Sequence, residues 1–114
     1  MLRINKEELE QIKKNNPGDL YEGEIVFNDE ENKLHTVGFI YRKPTTADLE
    51  AHSRTVQRNP VVANINLIQS LIVHPDSGGV IAQIQEYPAS AGHFVDEAIS
   101  PFYGANVTVK TKKL

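Results

Sequence analysis

The sequence has no cysteine and no tryptophan, and a single methionine. Without thiols there is no disulfide framework, no thiolate nucleophile and no cysteine-based zinc site. No apolar run approaches the roughly 18 residues that a membrane-spanning helix requires, so no membrane contact is expected. The opening stretch, "MLRINKEELEQ", carries charges where a signal peptide needs its apolar region. A basic field is also missing: 12 lysines and arginines stand against 15 aspartates and glutamates, for a net charge of −3. That balance argues against a nucleic-acid binder. A cytoplasmic protein fits these absences.

Hydrophobic residues make up 39% of the 114 positions, lean but well above the disordered range and enough for one domain with a modest core. Residues 5–15 read as a short helix capped by Asn5, with Glu7 and Glu8 in its first turn and Lys13 and Lys14 in its last, as the helix dipole favours. Ile4, Leu9 and Ile12 give it only a thin apolar stripe, and "NNPGD" stops it. Residues 20–27 and 34–42 alternate at period two, with Tyr21, Ile25 and Phe27 on one face of the first and Val37, Phe39 and Tyr41 on one face of the second. The polar "NDEENK" between them suits a hairpin loop. "NVTVK", Asn106 to Lys110, also alternates and suits a third strand.

From Pro44 the period becomes helical. Thr45 with Asp48 three residues on is a variant capping box. Asn59 followed by Pro60 starts the most apolar helix, in which Val61, Ile65, Ile68 and Ile72 repeat and Val62, Leu67 and Leu71 widen the stripe. This helix is expected at the centre of the core. A short helix follows, from Gly79 to about Tyr87, with Val80, Ile81 and Ile84. Pro88 forces a restart. The last helix, Ala89 to about Ser100, puts Ala91, Phe94, Val95, Ala98 and Ile99 on one side, and Pro101 ends or kinks it before Gly104. The expected fold is therefore α+β: an N-terminal β-hairpin, residues 20–43, packed on about four helices within residues 44–104. An N-terminal helix or arm covers residues 1–19, and a strand or tail covers residues 105–114.

His74-Pro75-Asp76 spells the signature by which J-domain co-chaperones stimulate their heat-shock ATPase partners. The preceding "VVANINLIQSLIV" carries no charge, whereas a J-domain presents a basic face there. The segment after it is too short for the long helix a J-domain needs. Helix punctuation explains the letters: His74 at a helix C-terminus, Pro75 ending that helix, and Asp76, or Ser77 next to it, capping the next. Asn59 and Asp76 are thus read as structural caps. The four histidines form neither an HxH nor an HExxH spacing, so no metal ligand set is expected. Ser77, Ser90 and Ser100 lie in caps or turns, and no nucleophile elbow surrounds them. No catalytic residue, cofactor or metal follows from these patterns, and the expectation is a protein that is not an enzyme.

The stretch from Phe39 to Gly104 resembles the small tail assembly chaperones of bacteriophages and prophages. The resemblance runs through "FIYRKPTTADLEAH", "NPVVANINLIQSLIVHPD", "VIAQIQEYPAS" and "AGHFVDEAISPFYG", in that order. Pro101 inside the last helix departs from that pattern. The resemblance implies a non-enzymatic protein of the host cytoplasm that binds the tape-measure protein, keeps it soluble and helps the tail tube protein polymerise around it. The alternatives are a structural tail or head-completion protein and a J-domain-like co-chaperone acting through His74-Pro75-Asp76. A chaperone of this kind needs exposed apolar surface, and aromatic residues are enriched at interface centres. Tyr87, Phe94, Phe102 and Tyr103 are the candidate partner-binding residues. The competing reading of Phe94 and Phe102 is that they fill the core.

Overall fold

The computed structural model describes residues 4–104 and 109–114. The order of elements is α1 (Lys6–Asn15), β1 (Leu20–Asn28), β2 (Leu34–Arg42), α2 (Thr46–Val56), α3 (Pro60–Leu71), β3 (Ile72–His74), α4 (Ser77–Glu86) and α5 (Ala89–Phe94), then a π turn (Val95–Ile99) and a 3-10 turn (Ser100–Tyr103). Among the described residues the strands form one antiparallel sheet in the order β1-β2-β3. The fold is α+β, as the change of period at Pro44 implies. The proposed strand on Asn106 to Lys110 falls largely on residues 105–108, which lie outside the described residues. The described Val109 and Lys110 are not in a strand.

The hairpin closes on Asp29. Its carbonyl accepts the Asn32 N–H at 2.9 Å, and its Oδ1 accepts the N–H groups of Glu31 and Lys33, both at 2.9 Å. Asn32 takes φ 61°, a left-handed conformation that asparagine tolerates better than most residues. The two strands then pair without interruption from Asn28↔Leu34 to Leu20↔Arg42.

Capping follows the sequence closely at three helices and fails at a fourth. The Asn5 side chain accepts from Glu8 N–H at 2.7 Å, and Asn59 accepts from Val62 N–H at 3.2 Å. Thr45 and Asp48 form a reciprocal capping box. Asp76 occupies the N-cap position of α4, but its side chain makes no capping hydrogen bond. Its backbone carbonyl alone serves the helix, accepting from Gly79 and Val80. As a side-chain cap, Asp76 is corrected.

The other correction lies just before it. α3 ends at Leu71, and Ile72–His74 is a strand rather than the last helical turn. His74 precedes a proline, which disfavours the helical region, and Ile72 and Val73 are β-branched. Arg42 of β2 completes the stop by donating to the Ser70 carbonyl at 3.0 Å, a cation where the helix dipole favours one. The three-residue strand pairs on β2 with a bulge, Ile40 opposite His74 and Tyr41 opposite Ile72, leaving Val73 as the extra residue.

The core lies between the sheet and α3, α4 and α5. Phe39, Ile68, Leu71, Ile84 and Ile99 are fully enclosed, and burying each contributes about 2 kcal/mol. Val61 and Val62, expected in the stripe of α3, are exposed at 44% and 43%. They belong to its first turn, and Ala63, Ile65, Leu67, Ile68 and Leu71 bury the helix instead. Neither α1 nor α2 buries a residue completely.

The final helix changes pitch. Pro101 has no N–H to give and its ring would crowd the carbonyl four residues back. The chain widens before it: the Ser100 N–H bonds the Val95 carbonyl, and the Ser100 hydroxyl donates to that same oxygen at 3.2 Å. Gly104 then ends the 3-10 turn at φ 82°.

Candidate functional site

β1 is an edge strand, and the direction of its backbone groups follows from the ladder. Lys43 N–H donates to the Asp19 carbonyl, and Asp29 N–H donates to the Lys33 carbonyl. In an antiparallel pair, hydrogen-bonded and non-bonded residue pairs alternate. Both flanking bonds therefore put Tyr21, Gly23, Ile25 and Phe27 in the bonded pairs with β2. The backbone groups of Glu22, Val26 and Asn28 point the other way, to the open edge. Among the described residues none is hydrogen-bonded to them.

That edge forms one wall of a groove of about 900 Å³, with the end of α4, α5 and the π turn as the other. The side chains of Ile25, Phe27, Phe94 and Ala98 give it an apolar floor. Glu22, Glu86 and Glu97 carry carboxylates around it. Among the described lining residues there is no lysine or arginine, and His93 is the sole nitrogen base. Gly23 sets how closely the two walls approach. A Cβ at this position would stand 3.0 Å from the Phe94 ring, 3.0 Å from Tyr41 and 3.1 Å from Phe39. The widened turn matters here as well, because Glu97 and Ala98 lie on it.

One end of the groove is closed by an aromatic cluster at the hairpin tip. Phe27 stacks on His35 at 5.4 Å and packs against Tyr87 at 4.7 Å. The Tyr87 hydroxyl donates to Glu30 at 3.3 Å. Partial desolvation, with the Glu30 charge beside it, raises the Tyr87 phenol above its ordinary range. His35 Nε2 bonds Asp29 at 2.8 Å, and this bond, helped by the Lys33 and Glu31 N–H groups, holds the Asp29 carboxyl below its usual range.

The four candidate aromatics do not form one patch. Phe94 is buried in the core, with its edge against Phe39 and Tyr41. Tyr87 sits at the hairpin tip. Phe102 packs on Tyr21, at the other end of β1, six residues and about 20 Å of strand from Phe27. Tyr103 leaves the sheet altogether: its hydroxyl lies 2.9 Å from Nδ1 of His52 in α2, and His52 Nε2 bonds Asn64 of α3 at 2.8 Å. Of the four, Tyr87 and Phe94 line the groove. The residues missed from the sequence are Glu22, Val26 and Asn28, whose importance comes from strand order, which alternation does not give.

No group of three or more His, Cys, Asp or Glu among the described residues is placed to hold a metal ion. No described helix is long and apolar enough to cross a membrane. Neither the His35–Asp29 pair nor the His52–Asn64–Tyr103 chain is joined by a serine or threonine hydroxyl in a described hydrogen bond.

A three-stranded antiparallel sheet with helices against one face defines the class of fold. The chain belongs to the family described as "Domain of unknown function (DUF6848)", whose model matches residues 7–112. It is similar in fold to a solved structure, the uncharacterised protein rbstp2171 from Bacillus stearothermophilus. The two share 22% identity with a TM-score of 0.67, covering 95% of this chain and 100% of that one. A comparison with curated proteins found no match.

Proposed function

We propose that this chain is a non-enzymatic binding protein that holds a segment of a partner polypeptide in the groove between β1 and α5. The observation that carries the reading is the open edge of β1 facing an apolar floor. A sheet edge of this kind is a template for another chain, and proteins that do not use one usually cover or blunt it. In its specific form, taken from the resemblance to tail assembly chaperones, the partner is the tape-measure protein, with the tail tube protein as a further contact. The place of action is the bacterial host cytoplasm. Tyr87 and Phe94 serve the groove; Phe102 and Tyr103 serve the packing of the C-terminal turn.

Co-expression with the tape-measure protein encoded beside it tests this. The soluble fraction of that protein should rise several-fold, and the two should co-elute on sizing. A tape-measure protein that stays insoluble beside well-folded chain, with no complex, overturns the reading in favour of a structural tail or head-completion protein. Such a protein would be found in finished particles.

A further inference from the structure

Resting on the groove as the binding site, we infer that its occupant is an extended strand with apolar and basic residues in alternation, added to β1 as a further strand of the sheet. The partner is a lysine- or arginine-bearing segment of another protein. Three observations lead to it.

The first is backbone geometry. The outward N–H and C=O groups of Glu22, Val26 and Asn28 lie along one wall. A bound helix satisfies its own backbone and leaves these groups unused. A bound strand bonds them, which is the mode by which peptides add to sheet edges.

The second is the pattern of faces. On β1 Gly23 and the Ile25 side chain are buried toward the helices, while Glu22 and Val26 are exposed on the opposite face. A strand laid beside β1 keeps that alternation. Its apolar residues meet the floor at Ile25, Phe27 and Phe94. Its other residues stand beside Glu22.

The third is charge. The carboxylates of Glu22, Glu86 and Glu97 surround the groove, and no described lining residue is a lysine or arginine. Opposite charges on neighbouring strands attract and like charges repel. The occupant's polar face is therefore basic. The same argument disfavours a second copy's β1, which would bring its own Glu22 to an acidic groove.

The probe is a blocked seven-residue peptide of alternating lysine and valine, with an alternating glutamate and valine peptide as control. Amide exchange on the full chain should show slowed exchange at Glu22, Val26 and Asn28 with the basic peptide and not with the acidic one. Val26→Pro deletes one outward donor at an edge position, where proline does not break the ladder to β2. Glu22→Lys reverses the charge at an exposed position. Each should weaken the basic peptide about tenfold while the thermal melt stays near wild type. Equal protection by both peptides, or protection away from β1, overturns the inference. So does a dimer on sizing whose β1 amides are already protected without peptide, because a second copy, through β1 or the exposed segment "VKTKKL" at residues 109–114, would then be the occupant. A tape-measure protein that binds the groove but is not displaced by the basic peptide overturns the strand chemistry and leaves the groove reading standing. Protection of β1 by the peptide without solubilisation of the tape-measure protein does the reverse.

Discussion

Gly23 of β1 and Phe94 of α5 are in such close approach that a single methyl on the glycine would press the aromatic ring at 3.0 Å. The strand and the helix meet across the one position of β1 that has no side chain. Glycine normally weakens a strand interior, so its presence here marks the contact.

Replacing Gly23 with alanine should destabilise the fold by about 1–3 kcal/mol, the usual cost of overpacking a core. Gly79 in α4 is the control. A Cβ there meets nothing within 4 Å, and Gly79→Ala should stabilise by about 0.5–1 kcal/mol, the helix preference for alanine over glycine. Chemical denaturation measures both. A Gly23→Ala midpoint equal to wild type would mean that α5 does not sit on β1 as described.

Asn59→Ala should cost about 1 kcal/mol, the ordinary loss of an N-cap that accepts a backbone hydrogen bond. Asp76→Ala should stay within about 0.5 kcal/mol of wild type, because its side chain makes no such bond. Thermal melts of the two variants side by side decide the contrast. Equal losses would show that Asp76 caps α4 in solution.

Asp48 accepts from Arg42 at 2.7 Å and from the Thr45 N–H at 2.8 Å. The Arg42 bond first, and the Thr45 bonds after it, hold its carboxyl below the ordinary value of 3.8. A carboxyl depressed in the folded state contributes stability that is present above its unfolded pKa and lost as pH falls through the folded one. Stability should therefore fall as pH drops below 3.8, with Asp29 contributing in the same direction. Asp48→Asn should lower stability at neutral pH and flatten that acid limb. Denaturant midpoints between pH 2 and 7 give the comparison, and an unchanged acid limb in the variant would refute the assignment.

Tyr103→Phe should loosen the C-terminal turn by removing its bond to His52, at a cost of about 1 kcal/mol. If Tyr103 serves packing rather than partner contact, binding corrected for the folded fraction should be unchanged. A loss of binding at full stability would return Tyr103 to the partner surface.

The hairpin, the order of the helices and the caps at Asn5, Thr45 and Asn59 were legible because each rests on a local rule acting over a few residues. The C-terminus of α3 was not. Ile72 and Val73 continue the apolar run of the helix, and only their pairing with β2, a contact made about thirty residues away, turns them into a strand. Val61 and Val62 misled for the opposite reason: they fit the helical period, but the period does not say which turns of the helix the rest of the fold covers. The groove was invisible for a similar cause. Alternation shows which face of β1 is buried, but which of its edges is open depends on β2 and β3 lying on the same side.

The π turn at Val95–Ile99 winds one more residue into its length than an α-helix would use. The chain therefore holds slack between Phe94, fixed against the sheet, and Pro101, which must leave the helix. Deleting Asp96, an exposed residue of that turn, lets the helix relax to ordinary pitch and costs less than a deletion in α3. Because the wide turn absorbs one residue, the residues after it keep their direction when that residue is removed, and Ile99 stays enclosed in the core. One spare residue thus lets the chain change its length by one beside the groove without disturbing the core beneath it.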